Sequence, residues 1–272
     1  MIICIGCTYF EISGSAHTIT ELKHLFRNYL IENVDPSVKK EVEFEAATLI
    51  TSEPLPDGWI DRSDNDQTEI SYVSENSILF SLRYNTGVNH IKIMPMKQNA
   101  VAVRLGLQFA IMIALHKQYV GLHGVTVLCG EEIIILSAPS GTGKTTLAGL
   151  LEQYSDAIVI NGDFALLSVV NKDVVFEPTP FCGSSGRCLK HRVRVDRIVF
   201  LEQAPVNKWE EADGREAARR LMNNTFVPVW DNKMSIAVKD TIMGVASLLN
   251  VSVFSFAPNK EAADLFREQV SK

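Results

Sequence analysis

Apolar and polar positions alternate over short runs along most of this chain, and only a few stretches show the three-to-four-residue recurrence of a helix. Residues 2 to 12 read as a first strand, closed by Gly14-Ser15. Thr18-Ile19-Thr20-Glu21 has the spacing of a capping box, and Leu22, Leu25, Phe26 and Leu30 follow as the stripe of a short helix. Residues 41 to 50 alternate like a strand, whereas residues 51 to 67, with Pro54, Pro56, Gly58 and several aspartates, predict a loop. Residues 70 to 73, 78 to 84 and 88 to 94 predict a small antiparallel group with turns at Glu75-Asn76 and Asn85-Thr86-Gly87. Pro95 then punctuates the chain. Residues 1–95 are therefore expected to form an N-terminal α+β accessory unit, and residues 96–272 a second domain.

That second part opens on the longest apolar run, Ala100 to Leu115. Arg104 and Gln108 interrupt it and it is shorter than the roughly 20 residues of a membrane span, so it predicts a buried helix with a polar edge. Residues 125 to 129 and 132 to 136 read as strands joined at Gly130-Glu131, and Ala157 to Ile160 as another buried strand. Residues 164 to 170 and 174 to 176 predict a hairpin turning at Asn171-Lys172-Asp173. A strand at 198 to 201, helices near 210 to 223 and 234 to 249, a strand at 251 to 256 and a closing helix at 260 to 270 complete the pattern. Hairpins mixed with strand–helix units predict an α/β fold with a mixed sheet.

The composition is that of an ordinary globular chain, 46% hydrophobic and 21% charged. A net charge of −6 argues against nucleic acid as a partner, and no stretch predicts a membrane span. Met1 to Cys7 carries neither a basic leader nor a cleavage site, so the expected compartment is the cytoplasm, with all five cysteines as reduced thiols. Cys4 and Cys7 have C-x-x-C spacing but no second pair at a zinc-site distance, and they read as strand residues.

One stretch changes this picture. Ser137-Ala138-Pro139-Ser140-Gly141-Thr142-Gly143-Lys144-Thr145-Thr146 joins the apolar run Ile133 to Leu136 to the helical pattern beginning at Leu147. Strand, glycine-rich turn, then helix is the context of a phosphate-binding loop (Walker A), whose backbone N–H groups and helix dipole surround an anion. The spacing G-x-x-x-x-G-K-[ST] is met except that Ala138 stands at its first position, which needs a small residue. Ser140, Gly141, Thr142, Gly143, Lys144, Thr145 and Thr146 are thus expected to bind nucleotide, Lys144 reaching the outer phosphates and Thr145 holding Mg²⁺.

Phosphoryl transfer also requires an acid near the metal and a group that orients or deprotonates the acceptor. Asp163 and Glu202 both follow apolar strands, and either can stand beside the loop; Glu202 reads better as a solvated strand end, and Asp163 can also be a turn residue. His123 precedes the strand pair that leads into the loop. The only strongly basic segment runs through Arg187, Lys190, Arg192, Arg194 and Arg197. Its Gly-Ser start suits a mobile loop presenting Arg187 to phosphate; alternation of Arg192 and Arg194 equally suits an edge strand.

Leu122-His123-Gly124, Ser140-Gly141-Thr142-Gly143-Lys144-Thr145-Thr146 and Ile160-Asn161-Gly162-Asp163, in that order, resemble the catalytic domain of the bacterial HPr kinase/phosphorylase family, which is similar in fold to phosphoenolpyruvate carboxykinase. The resemblance covers roughly residues 100 to 202 well and the C-terminal part loosely, and is nearest to short HPr-kinase-like proteins, some of which phosphorylate precursor peptides. It implies an ATP-dependent serine kinase using ATP (or another nucleoside triphosphate) and Mg²⁺. His123 would lie by the phosphates, Thr145 and Asp163 at the metal, and Asp163 would act as base for the acceptor hydroxyl. The family's Asp-Asp pair is here Gly162-Asp163, and its later arginine signature is recognisable only as Gly183 to Arg187. The expectation is therefore a kinase acting on a serine or threonine of a protein or peptide. Its rivals are a nucleotide-binding regulatory or assembly protein, or a small-molecule kinase. Carboxykinase activity is not expected without the paired acids, and a homo-oligomer is left open.

Overall fold

The computed structural model describes residues 1–32, 39–46, 55–64, 67–85, 87–96 and 100–271. The chain divides into two units, Met1–Leu115 and His116–Lys272, each with its own mixed sheet.

The first unit contains β1 (Ile2–Ile5), β2 (Thr8–Ser13), α1 (Ala16–Leu25), β3 (Lys39–Phe44), β4 (Gly58–Asp61), β5 (Thr68–Ser74), β6 (Ser77–Tyr84), β7 (His90–Pro95) and α2 (Ala100–Leu115). Its strands pair in the order β1-β2-β3-β7-β6-β5-β4, with β2–β3 and β3–β7 parallel and the rest antiparallel. The expected first strand is a hairpin, because Gly6 takes a left-handed φ of 60° and reverses the chain. The first helix starts before its expected box: Ser15 is the cap, and its hydroxyl accepts from Thr18 N at 3.2 Å. β4 lies inside the stretch expected to be loop, since the Trp59 ring packs on Tyr72 and Phe80 and draws the chain into the sheet. The rest of that loop at 51 to 54 and 65 to 66, the last part of the strand expected to 50, and Thr86 in the turn expected at 85 to 87 lie outside the described residues.

The expected division at Pro95 gave α2 to the second part, whereas α2 belongs to Met1–Leu115 and packs on β6 and β7. Gly106 explains the fit, because a Cβ there would stand 2.7 Å from Ile93 Cγ2. Phe109 adds a ring to the Trp59–Tyr72–Phe80 group. Among the described residues no helix is long and apolar enough to cross a membrane.

The second unit contains β8 (Val120–Cys129), β9 (Glu132–Ser137), α3 (Lys144–Tyr154), β10 (Ile158–Asn161), β11 (Phe164–Val170), β12 (Asp173–Glu177), β13 (Val193–Arg194), β14 (Arg197–Gln203), β15 (Lys208–Glu211), α4 (Gly214–Asn224), α5 (Asn232–Leu248), β16 (Asn250–Phe256) and α6 (Lys260–Val270). The sheet order is β13-β12-β11-β8-β9-β14-β16-β15, with β10 also pairing β8. Only β9, β14 and β16 run parallel to one another, so the mixed sheet expected from the pattern is what forms. The pleat of β14 sends Val199 and Leu201 to the face covered by α3 and α6, and Ile198 and Phe200 to the face covered by α4 and α5. β10 is not the buried strand expected. It pairs β8 alone, and Ile158 is 54% exposed.

Candidate functional site

β9 and α3 are joined by the turn at Ala138 to Gly143. Ala138 is packed in the core, which accounts for a small apolar residue at the first position of the pattern. Gly141 (φ 81°) and Gly143 (φ 101°) are left-handed, and Gly143 caps α3 with no side chain on the helix's first N–H groups. Thr142 N donates to Pro139 O at 3.4 Å, closing the turn. Lys144 is 7% exposed, and its Nζ donates to Ala138 O at 2.7 Å and Pro139 O at 3.1 Å. Burial lowers the pKa of that ammonium, against the pull of the nearby Asp163 carboxylate. Ser140, Thr145 and Thr146 are exposed around the turn and on the first turn of α3.

His123 and Asp163 stand across from each other on neighbouring segments. Gly124 N donates to Asp163 O at 2.9 Å, and His123 Nδ1 lies 3.5 Å from Asp163 Oδ1. Burial, then the Lys144 charge, push the His123 pKa below its ordinary value, so the ring is neutral at pH 7; Asp163 opposes both. Asp163 is not at the tip of a parallel strand beside the turn. It occupies the break between β10 and β11, both antiparallel to β8. His123, Lys144 and Asp163 are thus brought together.

The segment after β12 closes on this group. A short 3-10 turn at Gly183–Ser185 and Gly186 (φ 65°) carry the chain past Gly162. Gly162 N donates to Arg187 O at 3.1 Å, and Ser185 Oγ donates to Cys182 O at 3.0 Å. A Cβ at Gly162 would meet Ser185 Oγ at 1.9 Å and Cys182 O at 2.5 Å, and one at Gly183 would meet Asp163 Cβ at 2.7 Å. No side chain fits at 162 in this arrangement. Cys182 and Cys188 are joined in a disulfide (Cα–Cα 5.2 Å), which corrects the expectation that every cysteine is a reduced thiol; the turn between them brings the two sulfurs together.

The Arg187 guanidinium pairs with Glu152 of α3. Glu152, whose carboxylate also accepts from Val159 N at 3.0 Å, is a residue the sequence reading missed. The Val159 N–H, then Arg187, hold its pKa below the usual value. Thr145, Glu152, Gly162, Asp163, Ser185 and Arg187 line one cleft of about 400 Å³. The later arginines of the basic segment have structural partners: Arg192 with the buried Glu177, Arg194 with Asp196, and Arg197 with Glu132 and Glu211. Glu202 is turned by the pleat to the α4 face, where it accepts from Arg220 Nη2 at 2.6 Å. Among the described residues no group of three or more His, Cys, Asp or Glu side chains is placed to hold a metal ion.

No protein-family model matches this chain, and no curated protein matches it. Among solved structures, the Hpr(Ser) kinase/phosphatase from Coxiella burnetii is similar to it at 9% identity and a TM-score of 0.33, over 56% of this chain and 88% of that one.

Proposed function

We propose that the unit His116–Lys272 binds ATP or another nucleoside triphosphate at the β9–α3 turn and transfers its terminal phosphoryl group to a serine or threonine hydroxyl of a protein or peptide. The observation that carries this reading is the turn itself: two left-handed glycines, an α3 start without a side-chain cap, and a buried Lys144 ammonium, with Asp163 and His123 alongside. Ser140 to Gly143 would surround the phosphates with backbone N–H groups, while Lys144 would leave its two carbonyls for phosphate oxygens. Thr145 and Asp163 line the same cleft, so a hydroxyl and a carboxylate can complete a Mg²⁺ already carried by phosphate oxygens and water; this ion keeps most of its water and needs no protein cage. Such an ion neutralises charge on the transferred group. Once Mg²⁺ rests on Thr145, phosphate oxygens and water, Asp163 would be free to take the acceptor's proton, with His123, neutral, holding the carboxylate's other side. Arg187 would meet developing charge on leaving Glu152.

Calorimetric titration with a non-hydrolysable ATP analogue tests the first half. Binding that needs Mg²⁺ and disappears in Lys144→Ala is expected; equal binding by Lys144→Ala overturns it.

A second reading, a nucleotide-responsive regulatory protein without transfer, is favoured by Gly162. The packing of Ser185 against it leaves a single carboxylate where transfer would be helped by two. Radiolabelled ATP with an array of peptide and protein acceptors separates the readings, because nucleotide binding with no labelled product on any acceptor favours the regulator.

A further inference from the structure

The β9–α3 turn has two sides. The cleft with Asp163 lies toward β8, β10 and β11. On the other side β9, β14 and β16 run parallel, so β14 and β16 end at the same edge of the sheet as β9 does. Outside the carboxyl ends of parallel strands is where open α/β sheets take ligands. There β14 runs on into Ala204-Pro205 and β16 into Ala257-Pro258, tied by Ala204 N donating to Phe256 O at 3.1 Å. Together with Thr142 they enclose a slot of about 460 Å³, walled by Ala204, Pro205, Phe256 and Pro258 with Gln203 at its rim. Gly143 forms the near wall: a Cβ there would stand 3.2 Å from Phe256 Cζ and narrow the passage from turn to slot, and its φ of 101° favours glycine.

From this geometry we infer that the slot is the site of the nucleotide's purine base. The inference rests on the phosphate-binding reading of the adjacent turn. A mostly apolar space of this size, opening on the turn, has room for a bicyclic aromatic ring, whose faces gain from contact with proline and phenylalanine surfaces. Placing the base here leaves the Asp163 cleft, on the opposite side of the turn, for the phosphate acceptor. The slot also sets the selectivity. Among the described residues lining it, the longest polar side chain is Gln203, which donates to Gly141 O at 3.3 Å and whose amide can offer either a donor or an acceptor. With no fixed charge to read the base edge, adenine and guanine are accepted nearly alike.

Titrations of the full-length chain with Mg²⁺ and three probes, ATP, GTP and inorganic tripolyphosphate, test this. The wild type is expected to bind ATP and GTP at least about tenfold more tightly than tripolyphosphate, the order of one stacked base. Ala204→Trp, which fills the slot, is expected to bring ATP and GTP down to the tripolyphosphate level while leaving tripolyphosphate unchanged. Pro258→Asp, at the exposed opposite wall, is expected to act in the same direction and decides the matter should the tryptophan variant not fold. Tripolyphosphate binding with no advantage for ATP, or unchanged ATP affinity in the folded variants, overturns the base site and leaves the phosphate reading standing. A strong preference for one purine overturns the account of selectivity. Failure of all three probes on the wild type overturns the phosphate reading and the base site with it.

Discussion

Gly162 and Asp163 are adjacent in sequence and opposite in freedom. The loop from Cys182 to Cys188 presses on Gly162, whereas Asp163 opens into a cleft. Gly162→Ala therefore forces Ser185 or the Cys182 carbonyl to move, and overpacking of this kind typically costs about 1–3 kcal/mol. Denaturant melts should show that loss; an unchanged midpoint would mean that the loop does not rest on Gly162. Asp163→Asn keeps the volume and removes the charge. On the proposed kinase reading it should leave nucleotide affinity within about tenfold and lower transfer by about 10²- to 10⁴-fold, the usual worth of a positioned general base. Transfer at the wild-type rate would remove Asp163 from that role. Gly162 also shows where sequence reading stopped: the missing second acid was visible, but the cause, a loop packed on it, joins segments far apart in the chain.

At the scale of elements, periodicity located most strands and helices, because half-buried strands and amphipathic helices must alternate to meet one core. It failed where polarity and structure part company. β15 (Lys208–Glu211) is an edge strand pairing β16 alone, and its mostly charged side chains carry no apolar alternation. β4 offers little beyond Trp59 and Ile60. The slot at Phe256 was invisible for another reason: three strand ends build it, and no spacing along one segment records their meeting. α4 supplies a prediction of its own. Glu216, in its first turn, bonds Arg219 and Arg220, which hold its pKa down to about 2 against an ordinary 4.5. A depressed carboxyl pKa stabilises the fold above pH 4.5, and that contribution is lost as pH falls toward 2. Carboxyl NMR should find Glu216 titrating near pH 2, and Glu216→Gln should make the acid side of the stability profile less steep.

At the scale of the whole molecule, each sheet has its own core, and every group of the candidate site lies in His116–Lys272. That unit expressed alone should bind the ATP analogue as the full chain does, by the same calorimetric titration; a large loss would mean that the first unit contributes to the site. The close fit around Gly162 has one more consequence. Where two carboxylates stand together, one can hold a cation while the other receives a proton. Here Asp163 would have to serve both needs in turn, since a carboxylate engaged by Mg²⁺ is a poor proton acceptor. Turnover should then rise with Mg²⁺ while the nucleotide is being loaded and fall once the free ion occupies the lone acid, giving an optimum in place of a plateau.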